Sequence, residues 1–349
     1  MKSIYIIIIL LLCAGLVMFS SSSMLGAARG FELFISNVFP ALFPFLVCTC
    51  ALRKLGAFNV GKCNPFVTLS KIFILSCTSG SPTGPLLIET CFGEQNPKLS
   101  VNEISVLAAI CNLSSPVFII GTVCTNMLRR PALAYLVALS HYGTSAILLI
   151  LAAIKMRNKL SCIGTPSLPC AKRLSSILPE SISEASETML RLGGTLIFFS
   201  VLIGLLEDFK PIQLLSQLDK GILFGFLEMT NGIGILSGAA SNLRITLSLI
   251  CALLSLGGIC ILMQVSSIMR ISPTAYFSAK LCHAFISGLC CYLLFPCLSQ
   301  ISCEVNSSFD QMLFASNCIT IVELALCGIF ASSIASLLSI IISGRTHVR

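Results

Sequence analysis

The sequence predicts an all-α polytopic membrane protein, with about eight spanning helices and two re-entrant helical hairpins arranged as an inverted repeat. Three observations lead to this fold class. Only 10% of the 349 residues are Asp, Glu, Lys or Arg, whereas soluble domains carry about 25%. Hydrophobic residues make up 56% of the chain, and they fall into runs long enough for a helix to cross a bilayer. Two further apolar stretches are interrupted by Gly and Pro, which is typical of the broken helices of transporters.

The same composition excludes several classes of function. The net charge of +8 comes without a basic patch interleaved with aromatic residues, so we expect no nucleic-acid partner. The chain has no phosphate loop, HExxH motif or nucleophile elbow, so we expect neither an enzyme nor an ATP-driven pump, and no cofactor. Most of the 19 cysteines stand in apolar runs without CxxC and His partners. We therefore expect them to pack as small hydrophobes, with no metal site.

The spanning helices follow from the apolar runs, taken in chain order. The runs lie at 5–19, 31–52, 101–124, 131–154, 189–206, 245–263, 275–298 and 312–342. The first run, preceded by Lys2, also fits a signal peptide cleaved near Ala27 and Ala28. We prefer an uncleaved span, because the rest of the chain is membrane protein too. The Gly- and Pro-interrupted stretches 66–90 and 221–240 are the predicted hairpins.

Basic residues set the predicted orientation, because cytoplasmic loops carry an excess of Lys and Arg. The basic segment 155–173 and the tail with Arg345 and Arg349 indicate cytoplasmic positions, and so do Lys2, Arg53, Lys54 and Lys62. If each hairpin enters and leaves on one side, all these positions agree, and both termini are cytoplasmic. The pair Arg129 and Arg130 then falls outside, as an exception.

Five segments follow along the chain. They are an N-terminal span 1–30, a first repeat 31–154 with hairpin 66–90, a basic cytoplasmic linker 155–180, a second repeat 181–298 with hairpin 221–240, and 299–349 with an external loop, a last span and a basic tail.

The two repeats share a sequence pattern in the same order. His141 and His283 each follow a proline, Pro131 and Pro273, by the same spacing. A Gly-rich break precedes each of these blocks, and the crossing count gives the halves opposite orientations. This is the plan of an inverted-repeat transporter. Chance similarity between two apolar sequences is the alternative.

The candidate substrate site lies at the hairpin tips and at two polar breaks in the helices that follow them. Backbone freed by Gly or Pro inside a membrane needs protein or a water-filled cavity to bond with. A helix that starts at the first tip would point free N–H groups at an anion. The predicted substrate-binding residues are Ser79, Gly80, Ser81, Thr83, Gly84, Asn112, Ser114, Ser115, Glu228, Thr230, Asn231 and Gln264.

Each of these residues also has a structural alternative. The first tip could be a plain surface loop, and Glu228 could be solvated at the interface rather than carry a proton or bind a ligand. Ser, Asn and Gln are common between membrane helices as interhelical hydrogen-bonding groups. For His141 and His283 we favour two equivalent packing sites over a proton relay.

Several motifs resemble the sporulation integral membrane protein YlbJ family (stage V sporulation protein V). In the first half they are Asn37-Val-Phe-Pro-Ala-Leu-Phe-Pro-Phe45, Thr78-Ser-Gly-Ser-Pro-Thr-Gly84, Asn112-Leu-Ser-Ser-Pro-Val-Phe-Ile-Ile-Gly121 and Leu139-Ser-His141. In the second half they are Gly225-Phe-Leu-Glu-Met-Thr-Asn-Gly232, Gln264-Val and Leu281-Cys-His283. The resemblance runs from about Glu32 to Phe295. Ser81 stands where the family pattern has a tyrosine.

The resemblance implies a nucleoside-recognition (Gate) fold related to concentrative nucleoside transporters. It implies a permease for a small organic anion, dipicolinic acid during endospore formation, in the bacterial cell membrane or outer forespore membrane. The expected partners are that anion and the lipid bilayer, with a homo-oligomer or other sporulation membrane proteins as further candidates. A non-transporting scaffold or maturation factor and a nucleoside permease stay open as alternatives.

Overall fold

The computed structural model describes residues 2–55, 65–93, 98–160, 174–239 and 242–303, and these residues form helices and no strand. The helices are α1 Lys2–Met18, α2 Ser20–Leu33, α3 Phe39–Lys54, α4 Pro65–Ser79, α5 Thr83–Phe92, α6 Val101–Cys111, α7 Ala134–Lys155, α8 Leu174–Glu207, α9 Lys210–Gln213, α10 Gln217–Leu227, α11 Met229–Gly238, α12 Leu243–Leu256, α13 Gly258–Ser266 and α14 Pro273–Cys303. Two π-helical segments, Phe34–Val38 and Phe118–Met127, lie between them.

The N-terminal helices α1 and α2 meet at a sharp bend, whereas α2 and α3 are joined by a π-helical segment. Residues 9–18 and 20–38 are bent by 98° at Phe19, so the first predicted span meets the next helix at a corner. From Ser20–Leu33 the chain runs through the π-helical segment Phe34–Val38 directly into α3. The predicted span 31–52 therefore consists of the end of α2, the π-helical segment and most of α3.

Helix α2 packs closely against α8 through two glycines. A Cβ at Gly30 would lie 2.7 Å from the Cβ of Ser200, and one at Gly26 would lie 2.7 Å from the Ser200 carbonyl oxygen. Small residues at such positions let membrane helices approach each other. The long helix α8 is thereby held against the N-terminal part of the chain.

Both predicted hairpins form. Helices α4 and α5 make the first, with a tip at 80–82 where Gly80 takes a positive φ of 77° that glycine adopts without strain. Helices α10 and α11 make the second, which turns within the single residue Glu228.

Both helices that follow the hairpins are broken where polar or Gly residues were noted. Helix α6 ends at Cys111, and residues 112–115 are not helical. Helix α12 ends at Leu256, where Gly257 and Gly258 have φ values of 76° and 79° before α13 begins. Pro116, which lacks a backbone N–H, starts the second half of the first broken helix, and positive φ values at two glycines make the second break.

Length and composition identify four helices that could cross a membrane, or up to five if the bent N-terminal pair is one span, within the described residues. They are Pro131–Lys155, Ser175–Glu207, Leu243–Ser266 and Pro273–Pro296. Four shorter apolar helices accompany them, and the predicted last span 312–342 lies outside the described residues. Helix α8 begins at Leu174 rather than near 189, so it also takes up the end of the predicted linker. At about 1.5 Å per residue it is roughly 50 Å long, more than the hydrocarbon thickness of a bilayer.

Ion pairs at helix ends join segments that the basic-residue rule puts on the same side. Lys54 at the end of α3 lies 3.3 Å from Glu180 and 3.4 Å from Glu184 on α8. Lys159, after α7, lies 2.7 Å from Glu103 at the start of α6. The crossing count and the cytoplasmic side stay predictions from the charges.

Most of the described helices after α2 can be listed as two series of similar elements, with α9 in neither. Helix α3, the hairpin α4–α5, the broken helix α6 with Phe118–Met127, and unbroken α7 come first. Helix α8, the hairpin α10–α11, the broken helix α12–α13, and unbroken α14 follow. The buried core lies in two clusters, one around Ile119, Ile233 and Ile250 and one around Ile88 and Leu107.

Candidate functional site

A small buried cavity of about 50 Å³ lies where the hairpins and the helix breaks meet. Its polar lining consists of Ser81 from the first tip, Ser114 and Ser115 from the first break, Glu228 and Thr230 from the second tip, and Gln264 from α13. Its apolar lining includes Leu42, Phe118, Leu192, Leu196, Met229 and Ile261. Residues from both halves of the chain therefore line one small cavity.

The first tip packs tightly on the first break. A Cβ at Gly80 would lie 3.0 Å from the backbone N of Ser115, and a Cβ at Gly84 would collide with the carbonyl of Cys111. Only glycine permits this approach of backbone to backbone. Ser79, next to the tip, is buried and its Oγ lies 2.6 Å from Oγ1 of Thr49 on α3.

The first break satisfies much of its own backbone. The Phe118 N–H donates to Ser115 Oγ at 3.2 Å, which caps the second half of the broken helix. The Ser114 N–H donates to Nε2 of His141 at 3.2 Å, and Tyr142 Oη donates to the Ser114 carbonyl at 2.7 Å. The break is thus held open by α7 rather than by solvent.

Glu228 is buried at 3% exposure and caps the N-terminus of α11. Its Oε1 accepts from the Thr230 N–H at 3.0 Å, and its Oε2 accepts from the Asn231 N–H and Nδ2, both at 2.8 Å. Because the N-terminus of a helix attracts negative charge, this carboxylate is stabilised without a cation. Glu228 is therefore not a solvated interfacial residue, and it already takes the donors that this tip could offer to an anion.

Asn112 ends α6 and is held by α14. Its Nδ2 donates to Oη of Tyr276 at 2.7 Å, and its carbonyl accepts from Nζ of Lys280 at 2.6 Å. Lys280 is 2% exposed. The structure places this lysine at the end of the half-helix α6.

His141 and His283 stack with ring centroids 5.1 Å apart. Because the Ser114 N–H can only donate, Nε2 of His141 is the acceptor, and the proton is on Nδ1, which lies 2.8 Å from Ser255 Oγ. Nε2 of His283 donates to the His141 carbonyl at 3.0 Å. Both rings thus bind backbone or hydroxyl groups at the interface of α7, α12 and α14, as packing sites do.

Several buried polar atoms lack a hydrogen-bond partner within the described residues. They are Ser81 Oγ, Thr83 Oγ1, Asn112 Oδ1, Ser140 Oγ, Gln264 Oε1 and Nδ1 of His283. Buried polar groups are nearly always bonded, so each such atom calls for a ligand or water. Four of the six belong to predicted site residues, at the first tip, the first break and α13.

A second, larger cavity of about 820 Å³ adjoins the small one. It is bordered by α3, α5, α8 and α13, and its charged lining residues are Glu184, Glu187 and Arg191. Arg191 pairs with Glu187 at 2.6 Å on the exposed side of α8. Leu192 and Gln264 belong to the lining of both cavities, so they separate the groove from the small cavity.

The twelve predicted residues divide into three groups. Those that line the small cavity are Ser81, Ser114, Ser115, Glu228, Thr230 and Gln264. Thr83 lines the groove, as does Gln264. The others, Ser79, Gly80, Gly84, Asn112 and Asn231, lie behind the lining and hold the tips and the first break in place.

Sequence reasoning did not assign Tyr276 or Lys280 to the site. One signal was available, because Tyr276, Lys280, His283 and Ser287 recur at helical spacing and so share one face of α14. All four are buried. Among the described residues no cluster of His, Cys, Asp and Glu could hold a metal, and the cysteines described in full are free.

Comparison with known proteins adds one similarity. No protein-family model matches the chain, and no solved structure matches it. The chain is 25% identical over 332 residues to the sporulation integral membrane protein YlbJ of Bacillus subtilis (strain 168). The alignment covers 82% of this chain and 80% of that protein. Together with the apolar helices, this similarity places the chain among membrane proteins and makes it similar, over most of its length, to a sporulation integral membrane protein.

Proposed function

We propose that this chain is a membrane permease for a small organic anion, with dipicolinic acid as the solute during endospore formation. The observation that carries the proposal is the convergence of both hairpin tips and the first helix break on one buried cavity. Broken helices that meet at such a place form the substrate sites of many secondary transporters. The similarity to a sporulation membrane protein supports the setting.

The unpartnered atoms support solute binding at this place. The hydroxyl groups of Ser81 and Thr83 are buried without a partner in the described residues, and each can donate to a carboxylate. The unpartnered atom of Gln264 is Oε1, which accepts and would bind a donor group of the solute instead. An anion bound there would gain bonds that the empty protein lacks, and this difference is what makes binding favourable.

We infer from the cavity sizes that the described conformation does not admit a solute between the tips. At about 10–15 Å³ for each water, the small cavity of about 50 Å³ holds only a few waters. Pockets for small organic ligands are commonly about 300–1,000 Å³, which the groove of about 820 Å³ reaches. We infer that solute approaches through the groove and reaches the tips when Leu192 and Gln264 move apart.

The two sets of elements supply a route for such movement. Each set presents one hairpin to the cavity, and we propose that the sets are inverted repeats that rock against each other to alternate access. In this scheme both chain termini are cytoplasmic, and the protein acts in the cell membrane or the outer forespore membrane.

A nucleoside permease is the second candidate. The described lining of the small cavity contains the carboxylate of Glu228 and no Lys, Arg or His. A neutral polar solute would meet no like charge there, whereas an anion must rely on the capping of Glu228 by α11. Competition between dipicolinate and nucleosides for uptake decides between the two.

The direct test is uptake of labelled dipicolinate by liposomes that contain the purified protein. Thr83→Val removes a hydroxyl without a described partner, and Gln264→Met removes the unpartnered Oε1 together with the weak contact of Nε2 to Cys260. Both changes keep the volume nearly constant, so we expect the fold to be about as stable as the original and uptake to fall. The exposed Gln217→Met at the start of α10 is the matched control. Uptake no greater than in empty liposomes would refute the permease, and would favour a scaffold or maturation factor. Spores that lack the protein should contain less dipicolinate, and normal content would refute this solute.

A further inference from the structure

Lys280 is a buried lysine with no acidic partner in the described part of the chain. It lies in the first third of α14 at 2% exposure, and no described ion pair includes it. Its Nζ donates to the carbonyl of Asn112 at 2.6 Å. A lysine without a counter-charge inside a membrane protein is costly unless something else stabilises the ammonium.

The end of α6 provides that stabilisation. The last carbonyls of a helix have no intrahelical donor, and together they carry partial negative charge. Asn112 is the residue at which α6 stops, and its own Oδ1 is buried without a partner. The break therefore presents a group of oxygen acceptors, and the ammonium of Lys280 lies against one of them.

Its neighbours on α14 hold Lys280 at this place. Tyr276, one turn earlier, binds Nδ2 of Asn112, so the amide is anchored beside the lysine. His283, on the same face, donates to the carbonyl of His141 and fixes α14 against α7. These contacts hold the part of α14 that carries Lys280 against the end of α6 and α7.

In secondary transporters with broken helices, unwound carbonyls and half-helix C-termini are where a coupling cation such as Na⁺ is bound. We propose that Lys280 is a resident cation that fills this position, so that the protein closes and carries solute without Na⁺ at the first break. The inference rests on the proposed function for its transport part only. Glu228 at the start of α11 is the opposite case, an internal anion at a half-helix N-terminus.

The first test uses the unaltered protein. Liposomes of phosphatidylethanolamine and phosphatidylglycerol are assayed for dipicolinate uptake in NaCl and in N-methylglucamine chloride, whose cation is too large for the break. Equal uptake in the two salts is expected. Uptake that requires Na⁺, or a melting temperature of the original protein that rises specifically with Na⁺, would overturn the proposal.

The second test removes the Lys280 side chain by mutation and adds a small cation in its place. Lys280→Ala should lower uptake by roughly tenfold to a hundredfold, the range expected for losing a hydrogen bond to a charged group. Na⁺ or ethylammonium should then restore part of the uptake and raise the melting temperature of this variant alone. Lys280→Met, which fills the space with an uncharged chain, should be equally impaired and not rescued. The exposed Lys155→Ala on α7 is the control.

The readouts separate the two proposals. If no preparation takes up any solute, the permease proposal is refuted. The Na⁺ dependence of the melting temperatures then still tests the resident-cation proposal for Lys280. Lys280→Ala that melts at the same temperature in every salt would overturn the resident-cation proposal even if transport is found. Lys280→Met with full uptake would do the same.

Discussion

Replacing Glu228 by glutamine tests whether an internal carboxylate holds the second hairpin tip. The carboxylate accepts three hydrogen bonds, one at Oε1 from Thr230 and two at Oε2 from Asn231. Glutamine offers one acceptor oxygen and one donor group in the same space. If its oxygen faces Asn231, the Thr230 N–H loses its acceptor and meets another N–H.

The size of the effect follows from the burial of the site. An unsatisfied buried donor costs about 1–3 kcal/mol, and a charge at a helix terminus contributes up to about 2 kcal/mol in partly buried geometries. We therefore expect Glu228→Gln to lower the free energy of unfolding by about 2–4 kcal/mol. For a chain of this length, at roughly 2 °C per kcal/mol, the melting temperature should fall by about 4–8 °C.

The cysteines of the chain provide the assay. Cys111, Cys251 and Cys260 are free and buried, whereas Cys13, Cys48 and Cys282 are exposed. Once the exposed thiols have been alkylated, a thiol-reactive fluorophore in detergent solution should report the temperature at which the core opens. Glu187→Gln is the matched control, because Glu187 forms an exposed pair with Arg191 one turn away on α8. Such a pair contributes about 0.5 kcal/mol or less.

Two outcomes would refute this reasoning. If Glu228→Gln melts at the temperature of the original protein, the carboxylate does not hold the N-terminus of α11. If Glu228→Gln and Glu187→Gln lower the melting temperature by the same amount, the burial of Glu228 does not determine the loss of stability. Glu228→Asp keeps the charge but shortens the reach, and should fall between the original protein and the glutamine variant.

Two other predictions concern the second hairpin and the histidine pair. Gly232→Ala should destabilise the protein by about 1–3 kcal/mol, because its Cβ would collide with the backbone of Gly225, whereas Gly234→Ala, with open space around it, should be neutral in the same melting assay. Equal melting temperatures would contradict the close packing of α10 on α11. Ser255→Ala should cost about 1–3 kcal/mol, because it removes the oxygen that accepts from Nδ1 of His141, and unchanged stability would show that the ring has another partner.

Much of the architecture could be predicted because breaks in apolar sequence have local causes. The Gly and Pro residues at 80–85 and Pro116 favour interruptions of a helix, and the structure has the first tip at 80–82 and the first break at 112–115. The second hairpin turns at Glu228, which is neither Gly nor Pro. The start of α8 was not predicted, because Glu180 and Glu184 interrupt the apolar run there. In the structure both acids pair with Lys54, a contact between distant parts of the chain that periodicity does not show.

The candidate site also has a part that the sequence predicts and a part that it does not. Its hydroxyl and amide residues could be predicted because small polar residues are rare in apolar surroundings. The contact of Lys280 with Asn112 could not, because the residues are 168 positions apart and the acceptor is a backbone carbonyl. The capping role of Glu228 had a local signal, since its acceptors bind N–H groups two and three residues later, as capping side chains do.

The small cavity has a consequence for affinity. A solute that does not fit the closed form can bind only to the fraction of molecules that have opened, and its apparent Kd rises in inverse proportion to that fraction. Under the proposed function, Glu228, which caps α11, and Lys280, which binds the carbonyl at the end of α6, would stabilise the closed form before any solute arrives. The proposed permease would then bind its solute with low affinity.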